Sequence, residues 1–589
     1  MIHGSETAVK PARRTAPKRL EPEPIGALTW LLVAVALVPL AVAMVRVLTG
    51  TSAGFHATSD NALNELLVRD VGRHPVLLGP FSRNDWSHPG PLFYYLTAIP
   101  YRLFGDRSSA MLVNALLING VAIGVTITVA KRWGGLALAL PVLLLQGLLI
   151  TSLPLGFLEN PWNPYITVLP FGAFLMVAWA ATCGDRWAYP AAAFIGTFCM
   201  QTHIGYASLV IAVLAWCGWR AWRGRAGDGL VGGWWALAVL AVLWFPPVLE
   251  QIIHYPGNFR TIFHYFRTTT EPAHTITEGA RVIGAQFSVA PDWLVGLRDI
   301  NPFSGQPAAL TSTPVPVLLI PFGVVVGLVV RSGDRRARHL VAVLVITLGV
   351  GILTLAGTVG SMYEYRLRWT WVLAGLCIAV TIAHTARAVA RRITGQHARP
   401  AIAVCVAGTF VLGTFGIART TSYVRPDVRD TKTLSALATA VLRELPKRPG
   451  VVLINATSFS SLTYLPGLVA IMERGGMSAK VDNRQANRVR FGLHRVYTGG
   501  PLGARLVIAS GTDIEAIATR PGARIIAYVG RTPLERRAEA LRRFDRLTAR
   551  GVTAFDSRLI ALGEDLLADA VFALPTSSGP HRERRPSRP

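Results

Sequence analysis

The sequence predicts an α-helical membrane protein with many spans, followed by a small α/β domain. Hydrophobic residues make up 51% of the 589 residues and charged residues only 16%, whereas a soluble globular chain carries about 25% charged residues. Apolar runs long enough to cross a bilayer recur along most of the chain. The formal net charge of +26 falls largely in loops and tails between those runs, which argues against a soluble nucleic-acid-binding surface.

Eleven apolar runs are candidate transmembrane helices and together predict a transmembrane domain over 27–420. The polar, basic tail at 1–26 before them is expected in the cytoplasm and shows no cleavable signal-peptide pattern. Gln201-Thr202-His203 interrupts the fifth and sixth runs, which makes that pair the least regular. The runs lie near 27–49, 110–130, 134–153, 165–182, 188–202, 204–221, 231–249, 313–330, 339–357, 369–389 and 400–418.

The placement of Arg and Lys predicts which side of the membrane each loop occupies. With a cytoplasmic N-terminus, every inside loop carries at least one basic residue, among them Lys131-Arg132 and the run from Arg331 to Arg338. The short outside turns at 154–164 and 201–204 carry neither Arg nor Lys. An odd number of spans then places the C-terminal region on the outer face of a plasma (inner) membrane.

Three long segments are therefore expected outside: a loop over 50–109, a loop over 250–312 and the C-terminal region. In that region strand patterns alternate with helical patterns, which is typical of an α/β domain, expected over 421–575 with a disordered tail over 576–589. It contains no GxGxxG and no P-loop, so nucleotide binding is not predicted. The strand patterns lie at 451–455, 505–510 and 524–530, and the helical patterns at 459–474 and 533–549.

The five cysteines lie in or beside apolar runs and lack the spacing of a disulfide framework or a zinc site. We expect them to be buried and to act as small hydrophobic residues. They are Cys183, Cys199, Cys217, Cys377 and Cys405.

Ionisable residues are nearly absent from the predicted spans and collect at their outer ends, above all in the first outer loop. There, SDNALNELLVRDV (59–71) predicts a helix on the membrane surface, with Leu63, Leu66 and Leu67 on one face. Asp60 at its start has two open interpretations. It is either a functional carboxylate or a helix N-cap that stabilises the helix by about 1 kcal/mol.

These features resemble the GT-C superfamily of integral-membrane glycosyltransferases, particularly its actinobacterial members. The resemblance rests on a first span followed by an outer loop with an early acidic residue, and on eleven helices followed by an extracytoplasmic domain. Four short motifs add to it. They are HPGPLFYYLTAIPYRLFG (88–105), ENPWNPY (159–165), QTHIGY (201–206) and WFPPVLEQI with YPGNF (244–259).

The resemblance implies an enzyme that transfers a sugar, of the arabinose or mannose class, from a polyprenyl-phosphate donor on the outer face. The implied acceptor is a cell-envelope glycan, lipoglycan or protein, and membrane lipids are further expected partners. Family members use an acidic residue in the first outer loop as catalytic base, and Asp60 matches that position. The loop has no DxD or DD pair, so the use of a divalent cation stays open.

Nine further residues are candidates for substrate binding. Arg366 and Arg368, in the outer turn SMYEYRLRW (361–369), suit a lipid phosphate because a guanidinium group can contact it bidentately. Their alternative role is to pair with Glu364 and anchor the following helix. The other seven are polar or aromatic groups near outer helix ends, each with structural packing or capping as its alternative. They are Glu65, His88, Glu159, Trp162, Asn163, His203 and Glu250.

Two other classes of protein remain open from the sequence. A lipid or polysaccharide transporter would require charged residues near the bilayer midplane. A non-catalytic envelope scaffold would place the function in the C-terminal domain and leave Asp60 dispensable.

Overall fold

The computed structural model describes residues 20–49, 54–153, 156–223, 228–296, 313–390, 428–447, 449–549 and 567–576, with the single residues 310 and 408. Residues 577–589 of the predicted tail, the predicted span at 400–418 except residue 408, and most of the N-terminal tail therefore lie outside the described residues.

The first part of the described chain is helical. Its helices are α1 (Ala27–Thr49), α2 (Ser59–Asp70), α3 (Leu92–Leu103), α4 (Ser108–Gly134), α5 (Leu136–Ser152), α6 (Asn163–Ile166), α7 (Val168–Thr182), α8 (Ala188–Thr202), α9 (Ala207–Arg223), α10 (Asp228–Ile253), α11 (Asn258–Thr268), α12 (Ile276–Ala285), α13 (Asp292–Val295), α14 (Leu319–Arg331), α15 (Arg335–Ala356) and α16 (Arg368–Ala390).

Each of the ten predicted spans before residue 390 coincides with a helix, which confirms a polytopic α-helical membrane protein. Seven helical segments among the described residues are long and apolar enough to cross a membrane: those of α1, α4, α7, α9, α10, α15 and α16. Helices α5 and α14 are shorter apolar helices, and α8 has 15 residues. The α7 segment is apolar on all sides and fully buried at the centre of the bundle, as expected for a helix without a polar face.

Four of the five cysteines fall within the described residues and are free and buried, as predicted: Cys183, Cys199, Cys217 and Cys377.

The C-terminal region forms the predicted α/β domain around one five-stranded sheet of order β2-β1-β3-β5-β4. Strands β1, β2 and β3 are parallel, whereas β5 runs antiparallel to both β3 and β4. Its elements are α17 (Val428–Glu444), β1 (Val451–Ala456), α18 (Phe459–Leu462), α19 (Leu465–Arg474), β2 (Ser478–Val481), α20 (Gln485–Phe491), β3 (Ala504–Ser510), α21 (Asp513–Ala518), β4 (Arg524–Gly530), α22 (Leu534–Ala549) and β5 (Ala568–Leu574).

Helix α2 joins the sheet domain to the bundle, and this corrects its prediction as a helix on the membrane surface. Leu63 and Leu66 pack into the core of the sheet domain, whereas Ala62 and Val68 pack into the core of the bundle. The leucine face is therefore covered by protein rather than by lipid. We call this end of the bundle the sheet-side end.

Candidate functional site

A cavity of about 1000 Å³ lies at the sheet-side end of the bundle. Its wall is built from the start of α2, the loop at 81–88, the turns beside α6 and α9, and the segment at 353–369 that links α15 to α16. The sheet domain closes part of the wall. Six of the ten predicted site residues line this cavity, and they are Asp60, His88, Trp162, Asn163, His203 and Arg366.

Asp60 is the second residue of α2 and faces the cavity. The N-cap position belongs to Thr58, so the capping interpretation of Asp60 is wrong. Its carboxylate instead accepts a hydrogen bond of 3.0 Å from the indole Nε1 of Trp162. The Asp60 side chain is exposed to the open cavity, but the surrounding protein shields it from bulk water. This desolvation raises the pKa of Asp60 despite the opposing effects of the Trp162 hydrogen bond and of the Arg490 charge.

The loop at 79–88 is held as a tight hairpin. The N–H of Gly79 donates to the His88 carbonyl (3.0 Å), and the N–H of His88 donates to the Pro80 carbonyl (2.8 Å). A side chain could not replace the hydrogen of Gly79, because a Cβ atom there would lie 2.6 Å from a backbone carbonyl oxygen. The hairpin therefore presents its tip, including Arg83 and Trp86, to the cavity in a defined position.

Two histidines meet at the base of this hairpin, with ring centroids 4.9 Å apart. Burial lowers the pKa of His88 well below its usual value, and burial lowers the pKa of His203 to about 3. Both rings are therefore neutral near pH 7. The Nδ1 atom of His88 accepts from the N–H of Ile204 at 3.1 Å, so the ring proton of His88 lies on Nε2, where it is a hydrogen-bond donor.

Arg366 rests on two aromatic rings of the cavity wall. Its guanidinium carbon lies 5.6 Å from the ring centroid of Tyr363 and 5.7 Å from that of Tyr365. Its Nε donates to the Tyr365 hydroxyl at 3.3 Å. A second guanidinium, that of Arg83, donates to the Tyr363 hydroxyl at 3.3 Å. The cavity wall therefore contains two positively charged side chains positioned against aromatic rings, and it also contains the carboxylate of Asp60.

Glu65 is one of four predicted residues that do not line the cavity. It is fully buried and accepts hydrogen bonds from the Tyr101 hydroxyl (2.7 Å) and the Ser108 hydroxyl (2.6 Å). It also pairs with Arg474 of the sheet domain. Its position therefore gives it a role in joining the two parts of the molecule.

Glu250 supports the hairpin from outside the cavity. Its carboxylate accepts from the N–H of Asn258 at 3.0 Å. The Asn258 side chain in turn binds Ser87 twice, accepting from its N–H at 2.9 Å and donating to its carbonyl at 2.8 Å. Glu250 is thus connected to the site through the backbone of the hairpin.

Arg368 and Glu159 also lie outside the cavity wall. Arg368 is only 2% exposed, with its guanidinium carbon 4.2 Å from the ring centroid of Trp371 and its Nη2 3.7 Å from Glu364. This placement agrees with the alternative role of Arg368, in which it pairs with Glu364 and anchors the following helix. Glu159 ends the short helical turn Phe157–Glu159.

Among the described residues, one group has the geometry of a metal site: Asp70, His74 and His494, whose ligand atoms lie within 4.8 Å of one another. It is at the contact between α2 and the sheet domain, outside the cavity wall. Both carboxylate oxygens of Asp70 already accept hydrogen bonds from Arg495, at 2.7 and 2.8 Å. We therefore interpret Asp70, His74 and His494 as part of an ion-pair network with Arg495.

Sequence reasoning missed two arginines of the cavity, Arg83 and Arg490. Arg83 follows Ser82 in the loop that was predicted to be the first outer one, so its place in the richest polar segment was a usable signal. Arg490 lies in α20 of the sheet domain, and only the packing of that domain against the bundle brings it to the cavity.

The apolar bundle, the cavity at its sheet-side end and the attached sheet define a multi-pass membrane protein. The chain is similar to the crystal structure of ArnT from Cupriavidus metallidurans bound to undecaprenyl phosphate, with a TM-score of 0.54 and 14% identity over 94% of this chain and 100% of that chain. The apo structure of the same protein gives a TM-score of 0.50 and 12% identity, covering 94% of this chain and 99% of that chain.

Neither a protein-family model nor a curated protein sequence matches the chain. At identities this low the structural likeness establishes the fold, and it confirms the GT-C architecture predicted from the sequence motifs.

Proposed function

We propose that this protein is a membrane glycosyltransferase that takes its sugar from a polyprenyl-phosphate donor. The observation that carries the proposal is that one cavity is lined by the Asp60 carboxylate, by the guanidinium group of Arg366 and by several aromatic side chains. The shared fold with ArnT, whose crystal structure holds undecaprenyl phosphate, supports a lipid of this kind.

Asp60 is proposed as the general base. The acceptor hydroxyl passes its proton to the carboxylate as its oxygen attacks the anomeric carbon, and the bond from that carbon to the donor phosphate breaks. A positioned base of this kind typically contributes 10²–10⁴-fold to the rate. The raised pKa of Asp60 makes it a stronger base than an ordinary aspartate, and the Trp162 indole fixes the orientation of its carboxylate.

The leaving group is a lipid phosphate, on which negative charge develops. Arg366 is proposed to stabilise that charge, since a fixed cation in a site partly shielded from water needs little reorganisation during the reaction. The neutral His88, with its proton on Nε2, is proposed as a second donor to the phosphate or the sugar. Trp162 offers an aromatic face to a sugar ring.

We further propose the orientation and substrate class predicted from the sequence. The N-terminus would be cytoplasmic and the sheet-side end would face outward. The donated sugar would be of the arabinose or mannose class, and the acceptor a cell-envelope glycan, lipoglycan or protein.

The substitution Asp60→Asn tests the proposal, because it preserves shape while removing the base. Transfer from polyprenyl-phosphate arabinose or mannose to an envelope extract, measured with purified protein in detergent, should fall by about 10²–10⁴-fold. Undecaprenyl phosphate should still bind. The matched control is Asp106→Asn, since Asp106 lies in the same outer region but on the surface, paired with Arg73 at 4.0 Å. Near-normal transfer by the Asp60 variant would reject Asp60 as the base.

A further inference from the structure

The sheet domain contributes a charged side chain to the cavity. Arg490, the sixth residue of α20, lines the wall together with the exposed ring of Phe459 from α18. The guanidinium carbon of Arg490 lies 4.5 Å from the ring centroid of Phe81, at the start of the hairpin tip. The side chain is thereby held between the sheet domain and the hairpin.

Arg490 has unused hydrogen-bonding capacity. Its Nε atom is buried and has no hydrogen-bond partner among the described residues. In the same cavity wall, the buried indole Nε1 of Trp86 is also without a partner there. A buried donor without an acceptor is costly, so these groups gain most from a ligand that carries acceptor oxygens.

A nearby arginine of the sheet domain has a purely structural role and serves as a comparison. Arg495, five residues further along, donates to both Asp70 and Glu473 at distances from 2.7 to 3.0 Å and so joins the sheet domain to α2. Arg490 makes no ion pair of this kind within the described part of the chain. Its charge nevertheless acts on Asp60, which lines the same cavity, and on Asp85.

We infer that Arg490 binds a phosphate oxygen of a substrate, so that the sheet domain supplies part of the substrate-binding site. The inference rests on the proposed function, since it assigns a contact within the same cavity. Phosphate is the favoured ligand because the planar guanidinium group offers parallel N–H donors to two oxygens. The phosphate could belong to a lipid donor or to a water-soluble group on the acceptor, and these sources share the same chemistry.

The test compares binding of undecaprenyl phosphate with binding of uncharged undecaprenol, in detergent, for the wild type, Arg490→Gln and Arg490→Lys. Mannose 6-phosphate, whose phosphate is not on the anomeric carbon as it is in the donor, is the soluble probe. The matched control is Arg488→Gln, because Arg488 lies on the same helix but is exposed and binds Asn483 at 2.6 Å. Arg490→Gln should lower affinity for one phosphate probe by roughly tenfold or more, leave undecaprenol binding unchanged, and be partly rescued by lysine.

Loss of undecaprenyl phosphate binding would identify the lipid donor as the source, and loss of mannose 6-phosphate binding alone would identify the acceptor. If the wild type prefers the phosphate lipid, and Arg490→Gln keeps its affinity for undecaprenyl phosphate and for the soluble phosphate probe, the inference is wrong while the proposed function stands. An equal loss for undecaprenol would also overturn it, since that pattern reports damaged packing. A wild type that binds both lipids equally would contradict the proposed function and the inference with it.

Discussion

Arg495 is expected to hold the sheet domain onto the bundle, and its removal should loosen that contact strongly. Its side chain is 3% exposed and donates to both oxygens of Asp70, to both oxygens of Glu473 and to the Phe491 carbonyl. Substitution by methionine keeps the apolar stem but leaves two carboxylates without their cation. Breaking a buried ion pair in this way costs about 3–5 kcal/mol.

The matched control is Arg524→Met. Arg524 makes a single 2.8 Å ion pair with Glu444, and the two side chains are 62% and 40% exposed. An exposed pair of this kind contributes about 0–1 kcal/mol. The two variants remove the same charge and the same group, so their difference measures what the buried network of Arg495 contributes beyond a single exposed ion pair.

Amide hydrogen exchange in α2 and α20 measures the free energy of opening of this contact, which is more informative than one melting temperature for a multidomain membrane protein. A loss of 3–5 kcal/mol corresponds to exchange roughly 10²- to 10⁴-fold faster at these amides. If Arg495→Met and Arg524→Met differ by less than about 1 kcal/mol, the contact is held by the apolar faces of α2 instead.

The pH dependence of the same contact has a defined sign. Desolvation alone would raise the pKa of Asp70, but its contact with His494 and its hydrogen bonds from Arg495 outweigh desolvation and lower the pKa below the ordinary value of 3.8. The stabilisation from Asp70 is therefore complete above pH 3.8 and is lost as the pH falls through the lowered pKa. The difference in the free energy of opening between the wild type and Arg495→Met should therefore become smaller as the pH falls through that range.

Two further predictions concern the cavity. The indole N–H of Trp162 donates to Asp60 and thereby lowers the pKa of that carboxylate. Trp162→Phe removes this N–H, so the pKa of Asp60 should rise and the acid limb of the pH–rate profile should move to higher pH. An unmoved limb would show that Asp60 is not the group that titrates. Arg366→Gln should weaken undecaprenyl phosphate binding by roughly tenfold or more, with partial rescue by Arg366→Lys. Arg368→Gln, at a buried position, should instead lower thermal stability, and a similar loss of lipid affinity in the Arg366 and Arg368 variants would contradict this division of roles.

The sequence alone determined the class of protein and the positions of most elements. A span is a local property of about 20 consecutive residues, so ten of the eleven predicted spans could be matched to helices in the described chain. Strands β1, β3 and β4 were likewise predicted from their own short apolar patterns. Strands β2 and β5 were not, because four residues (SAKV) and an alanine-rich segment (ADAVFAL) become strands through pairing with distant neighbours.

The tertiary structure decided which candidates share a site. Asp60, Trp162 and Arg366 lie on separate elements, and only packing of the spans brings them to one cavity. Packing also places Glu65 outside that cavity, because its carboxylate binds an arginine of the sheet domain that is more than 400 positions away in the chain. Local sequence patterns indicate the apolar face of a helix and the length of an apolar run. A binding site depends instead on contacts between segments far apart in the chain. Those contacts form only when the bundle and the sheet domain pack together.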